Sequence, residues 1–89
     1  MKTPIITRQF ERDQKRCLKR GYDMAKFKAC ATNLLSDAPL PSNAKPHPLI
    51  GNYTGYFDCH IANDWVLIYK ITPTAIIFQR MGSHADLFE

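Results

Sequence analysis

Three histidines, His47, His60 and His84, stand in the second half of the chain, each beside an apparent strand end. Imidazole is the side chain that most readily exchanges a proton near neutral pH, so three of them gathered by one small fold could run acid–base chemistry without a cofactor. Asp64 follows His60 across a short turn, which predicts a hairpin that brings carboxylate and imidazole together. A carboxylate so placed could orient the ring, raise its pKa or handle a proton itself. Arg80 precedes His84 near the same sheet end, and the planar guanidinium fork fits a phosphate. Histidine and arginine together are what phosphodiester chemistry would use.

The plainer readings are a turn role for Asp64, a surface position for His60 and a frayed terminus around His84. Leu87-Phe88 argues against fraying, because apolar residues near a chain end tend to dock. Three histidines plus a water would also make a zinc site, but none lies at helical i, i+4 spacing and their neighbours differ. Neither metal nor cofactor is expected. Tyr56 and Trp65 could stack a base, although Trp65 at the head of a strand reads better as core.

These residues need elements to hold them. Thr3–Thr7 reads as a short strand, with Pro4 suited to an edge or a strand start. Phe10, Cys17 and Leu18 recur at helical spacing among charges from Arg8 to Arg20, and Gly21 is a natural stop. Asp23 can cap a second helix whose stripe is Phe27, Cys30, Ala31, Leu34 and Leu35. Residues 36–52 hold four of the six prolines and read as loop, with His47 fixed extended between two of them.

From Tyr53 the period becomes two. Phe57, Cys59 and Ile61 alternate with Tyr56, Asp58 and His60, which aims His60 away from the apolar side. Trp65–Ile71 is apolar on both faces and hence central. Ala75–Met81 forms the last strand, with Arg80 expected on the face of Ile76 and Phe78, and Gly82 releases the tail. The order is strand, two-helix hairpin, then a three-strand meander in one α+β domain over residues 1–89.

A chain of 89 residues supports one core, so any catalytic site is a shallow groove that borrows shape from a larger partner. Cys17, Cys30 and Cys59 are odd in number and lack C-x-x-C spacing, reading as buried hydrophobes in a reducing compartment. No signal-peptide pattern or membrane-length apolar run is present, which implies a cytoplasmic protein without a membrane partner. Of the net charge of +4, residues 8–28 carry +5 and the remainder −1. Arg12, Lys15, Arg16, Lys19, Arg20, Lys26 and Lys28 thus suggest a polyanion-binding surface, against a plainer solvated helix face.

Four motifs in order, Lys45-Pro-His47-Pro-Leu49-Ile-Gly51, Gly55-Tyr56-Phe-Asp58-Cys-His60-Ile, Asp64-Trp65-Val-Leu-Ile-Tyr69-Lys70 and Arg80-Met-Gly82-Ser-His84-Ala-Asp-Leu87-Phe88, resemble the YafQ branch of the RelE/ParE superfamily of type II toxins. The resemblance implies a RelE-like fold. It also implies a toxin that enters the ribosomal A site, cuts messenger RNA there, and is silenced by a cognate antitoxin. Operator DNA would be met only through the antitoxin complex, and the free toxin would be a monomer. By that analogy His47, His60, Asp64 and His84 form the catalytic set, Phe88 packs beneath His84 or against a base, and Arg80 and Lys70 meet phosphate. His60 or Asp64 would take the 2′-OH proton and His84 would protonate the 5′ oxygen. The basic helices would bind ribosomal RNA. Phe57 stands where relatives often carry Arg, and Asn63 where they often carry Pro. A rival reading is a ParE-like gyrase inhibitor, a branch with the same fold that does not need the histidines.

Overall fold

A computed structural model describes residues 1–88. In chain order the elements are β1 (Thr3–Ile6), α1 (Arg8–Lys19), α2 (Met24–Leu35), β2 (His47–Pro48), β3 (Phe57–Ala62), β4 (Trp65–Ile71), β5 (Ala75–Gly82) and α3 (His84–Phe88), with 3-10 turns at Ser42–Ala44 and Gly51–Tyr53. The sheet runs β1-β5-β4-β3-β2, and β1 lies parallel to β5 while every other pair is antiparallel. This is the expected α+β arrangement, with two elements that pattern did not show. His47-Pro48 forms a two-residue strand rather than loop, and the tail after Gly82 turns into a short helix.

Local chemistry sets the helix ends. Thr7 caps α1 by accepting from the Phe10 amide at 3.0 Å, and its hydroxyl donates to the Gln79 carbonyl at 2.9 Å, tying the helix start to β5. Gly21, at φ 81°, ends α1 where a side chain would be strained, and Asp23 caps α2 through the Ala25 amide at 3.1 Å. Both helices then cover one face of the sheet. Phe10 from α1, Phe27, Cys30 and Leu34 from α2, and Cys59, Leu67, Tyr69, Ile76, Phe78 and Met81 from the strands make one core. Leu18, expected inside, is 63% exposed, because only Phe10, Asp13 and Cys17 of α1 turn fully inward.

One correction and one further contact concern β5 and bear on the site. Its pairing with β4 slips between Ile68 and Tyr69, so that Tyr69 faces Phe78 while Ile68 faces Arg80. The extra residue, Gln79, is a bulge, and it puts Arg80 on the face opposite Ile76 and Phe78. Beyond Phe78, β1 no longer covers the β5 edge. There α1 takes over: the Asp13 carboxylate accepts from the Met81 amide at 3.1 Å, and Arg16 donates to the Met81 carbonyl at 3.2 Å. An otherwise open sheet edge is thereby closed.

Candidate active site

Cross-strand partners share a face, so the register fixes which residues look away from the helices. His47 opposes Asp58, Asp58 opposes Ile68, and His60 opposes Val66. Val66 and Ile68 form a second, smaller buried cluster with Leu87 of α3, flanked by Leu49, Tyr53 and Tyr56. His47, Asp58, His60, Lys70 and Arg80 therefore lie on the face that α1 and α2 leave uncovered, and α3 docks on that same face through Leu87.

Asp64 sits in the Asn63–Asp64 turn at φ 51°, a left-handed conformation that Asp tolerates better than most residues. That turn points its carboxylate at the start of α3 rather than back at His60, which corrects the expected Asp64–His60 contact. Asp64 Oδ1 accepts from the backbone amide of His84 at 3.0 Å and lies 2.6 Å from His84 Nδ1. The same oxygen thus satisfies an orphan helix N–H and orients the ring. These two His84 contacts, the backbone amide foremost, hold the Asp64 carboxyl below the usual carboxylate range. With Nδ1 donating to a carboxylate, the imidazole presents Nε2 outward, and the His84 side chain is 53% exposed.

The ring of His60 lies 5.5 Å from that of His84, centroid to centroid. His60 is half-buried, and its Nδ1 has no hydrogen-bond partner among the described residues. His47 Nδ1 stands 3.6 Å from Asp58 Oδ1. Its partner Asp58 is two residues along β3 from His60, which makes His47 a diagonal cross-strand neighbour of His60 at about 7–8 Å. Phe88 packs its ring 6.0 Å from that of His84, centroid to centroid. The three imidazoles and Asp64 share one face.

Arg80 reaches this face with much of its fork already used. Its Nε and Nη2 each donate to the buried Asp13 carboxylate at 3.0 Å, so only the Nη1 corner can meet a phosphate. That pairing is the main reason the guanidinium holds its proton more tightly than usual. Lys70 Nζ lies 5.5 Å above the Tyr56 ring. The basic set on the helices is also thinner than its sequence. Arg16 pairs with Asp13 at 2.9 Å and Arg20 with Asp86 at 2.6 Å. Arg12, Lys15, Lys19, Lys26 and Lys28 are exposed and make no ion pair among the described residues.

Sequence reasoning missed the residues that mount His84. The Ser83 amide donates to Asp86 at 2.9 Å, and the Asp86 amide donates to the Ser83 hydroxyl at 3.2 Å, the reciprocal pair of a capping box. Ser83-x-x-Asp86 was the available signal. Arg20 clamps Asp86 from α1 and, as its leading partner, keeps that carboxyl well below the ordinary range. Gly82 lies close beneath them, and a Cβ there would come within 2.8 Å of Arg16 Nη2 and Asp86 Oδ2, so those side-chain ends would have to shift.

The imidazole cluster thus sits on an open sheet face of a small α+β fold rather than inside an enclosed pocket. Residues 2–89 match the family model of the bacterial toxin of type II toxin–antitoxin systems, YafQ. The chain is 46% identical over 81 residues to the mRNA interferase toxin YafQ of Escherichia coli K12, spanning 90% of this chain and 88% of that one. Among solved structures, YafQ from E. coli BL21(DE3) superposes with a TM-score of 0.93 at 40% identity over the whole of both chains. An E. coli DinJ–YafQ toxin–antitoxin complex gives a TM-score of 0.90 at 42% identity, covering 99% of this chain and 98% of that one. The chain belongs to the YafQ family of type II toxins.

Proposed function

We propose that this toxin is a ribosome-dependent, metal-independent endoribonuclease that cuts messenger RNA in the A site. The observation that carries the reading is the pair of imidazoles 5.5 Å apart, one of them oriented by a carboxylate, on an open sheet face. The mRNA interferase name of relatives at 46% identity supports the substrate. His60 takes the proton of the 2′-OH as its oxygen attacks the adjacent phosphorus. His84 Nε2 gives a proton to the departing 5′ oxygen, leaving a 2′,3′-cyclic phosphate and a 5′-OH. Asp64 orients the His84 ring by holding its Nδ1. His47, beside Asp58, orients the substrate, and the Nη1 corner of Arg80 together with Lys70 answers the phosphorane charge.

The ribosome dependence in this reading is supported by how little the site encloses. Its groups line a face rather than a cleft, and RNA must be bent into line by something else. The exposed cations Arg12, Lys15, Lys19, Lys26 and Lys28 supply the contact with ribosomal RNA. A cognate antitoxin silences the free monomer, as the solved DinJ–YafQ complexes suggest, and operator DNA is reached only through that complex. Cytoplasmic location fits three free buried cysteines and the absence, among the described residues, of any helix long and apolar enough to cross a membrane. The match runs to the YafQ branch, so the gyrase-inhibiting alternative is set aside.

Primer extension on a translated message, with the wild-type chain and His84→Ala, tests the proposal. Wild-type protein should cut at defined positions only when ribosomes are present, and His84→Ala should lose cutting by at least about 100-fold. Cutting of naked RNA at the same rate, or an active His84→Ala protein, would refute it.

A further inference from the structure

Next to His84 lies a cleft that none of the acid–base steps uses. The Gly51–Tyr53 turn and α3 face each other across a space of about 430 Å³ lined by Ile50, Asn52, Tyr53, Leu87 and Phe88. That volume lies in the range of small-molecule sites. One wall is aromatic: Tyr53 and Phe88 meet edge to face with centroids 6.5 Å apart, and Phe88 is still 43% exposed. Ile50, on the same lining, is 90% exposed although it is a large apolar residue. The side-chain amide of Asn52, also on the lining, is exposed and makes no side-chain hydrogen bond among those of the described residues.

We infer that this cleft seats one nucleobase of the message beside the scissile linkage, and that Asn52 reads the edge of that base. The inference rests on the endonuclease reading above and names its specificity subsite. Three features choose a base over other occupants. The cleft is continuous with the catalytic face, since the Phe88 ring that walls it is also 6.0 Å from the His84 ring. A flat heterocycle suits a lining with an aromatic face and an exposed aliphatic side chain, where stacking is favourable for any base. The remaining lining group is a carboxamide, which offers a donor and an acceptor side by side and can pair with a base edge in two bonds. A purely apolar peptide anchor would leave that amide without a partner.

The test maps cut sites across a whole translated message for wild-type, Asn52→Ala, Asn52→Asp and Ile50→Ala proteins. Thermal melts accompany the mapping to show that each variant folds. Asn52→Ala should flatten the base preference at one position flanking the cut by on the order of tenfold. Asn52→Asp keeps only acceptors, so it should shift that preference toward bases that present amino groups. Ile50→Ala should raise KM by several fold with little change in kcat. An unchanged distribution of cut sites in folded, active Asn52 variants would overturn the inference while leaving the endonuclease reading intact. The same result with weakened binding of the antitoxin alone would assign the cleft to that partner, and so also overturn it. A wild-type chain that cuts nothing would fail at the earlier step.

Discussion

Replacing Asp13 by Asn should remove a large share of the stability of this fold while changing its shape very little. Asp13 is fully buried, and its two oxygens accept from Arg80 Nε and Nη2, from Gln9 and from the Met81 amide, with Arg16 at 2.9 Å. Burial alone would raise the carboxyl, but the Arg80, Met81 and Gln9 hydrogen bonds outweigh it and hold the group ionised. An amide keeps one acceptor and turns two donors toward the guanidinium. Breaking one half of a buried ion pair costs about 3–5 kcal/mol. Because Arg80 keeps 19% side-chain exposure and can recover some water, the lower end, about 3 kcal/mol, applies. Against a total of roughly 4–13 kcal/mol expected for a chain of this length, that is a substantial fraction. It corresponds to a melting temperature lowered by about 12–24 °C. Urea unfolding followed by circular dichroism, with wild type and Asp13→Asn side by side, gives the number directly. A loss below about 1 kcal/mol would show that the pair is not what closes the edge of β5.

The remaining expectations concern acid, thiols and salt. Asp13, Asp64 and Asp86 all have depressed folded pKa values, so the stability they contribute is present above the unfolded carboxylate pKa, about 4, and is lost as pH falls through the folded values. Urea midpoints should be level from pH 7 to about 5 and fall steeply below about 4, with Asp86→Asn flattening that acid limb; a limb identical to wild type would refute the assignment. Cys17, Cys30 and Cys59 are buried, with the Cys30 and Cys59 sulfurs 3.6 Å apart. A thiol reagent should label none of them in the native protein and all of them in denaturant, and fast native labelling would contradict the packing. Glutamate at Arg12, Lys15 and Lys19 together should weaken ribosome binding and reduce the slope of log affinity against log salt by about 3, with no change in melting temperature beyond about 5 °C. Binding unaltered by these changes would place the ribosomal contact elsewhere.

The order of elements was legible because it rests on local signals: the Asp23 cap, the Gly21 stop, and the switch of period after Tyr53. Four features were not legible, each for a physical reason. The bulge at Gln79 reverses side-chain parity, and simple alternation across Ala75–Met81 therefore put Arg80 on the wrong face. Strand β2 is too short and too proline-rich to carry any period, so His47 showed as loop although its pairing with Asp58 is what brings it onto the site face. The ties from α1 and its end to the last strand and helix, Arg20 with Asp86 and Asp13 with Arg80, join residues far apart in the chain, and no spacing rule exposes contacts of that range. The identities of the imidazoles and of Asp64 were readable, whereas the partner of Asp64 was not. That choice depends on its left-handed turn and on the free amide at the start of α3.

The parallel pairing of β1 with β5 sets the timetable on which a nascent chain can become active. The first strand waits unpaired until the last one has been made, and α1 cannot seal its acid–arginine contact until Arg80 has emerged. Such long-range closure slows folding, and here it also means that no partial translation product can assemble the imidazole face. His84 itself follows directly on the strand that β1 pairs with, so the face is complete only when nearly all of the described chain is in place.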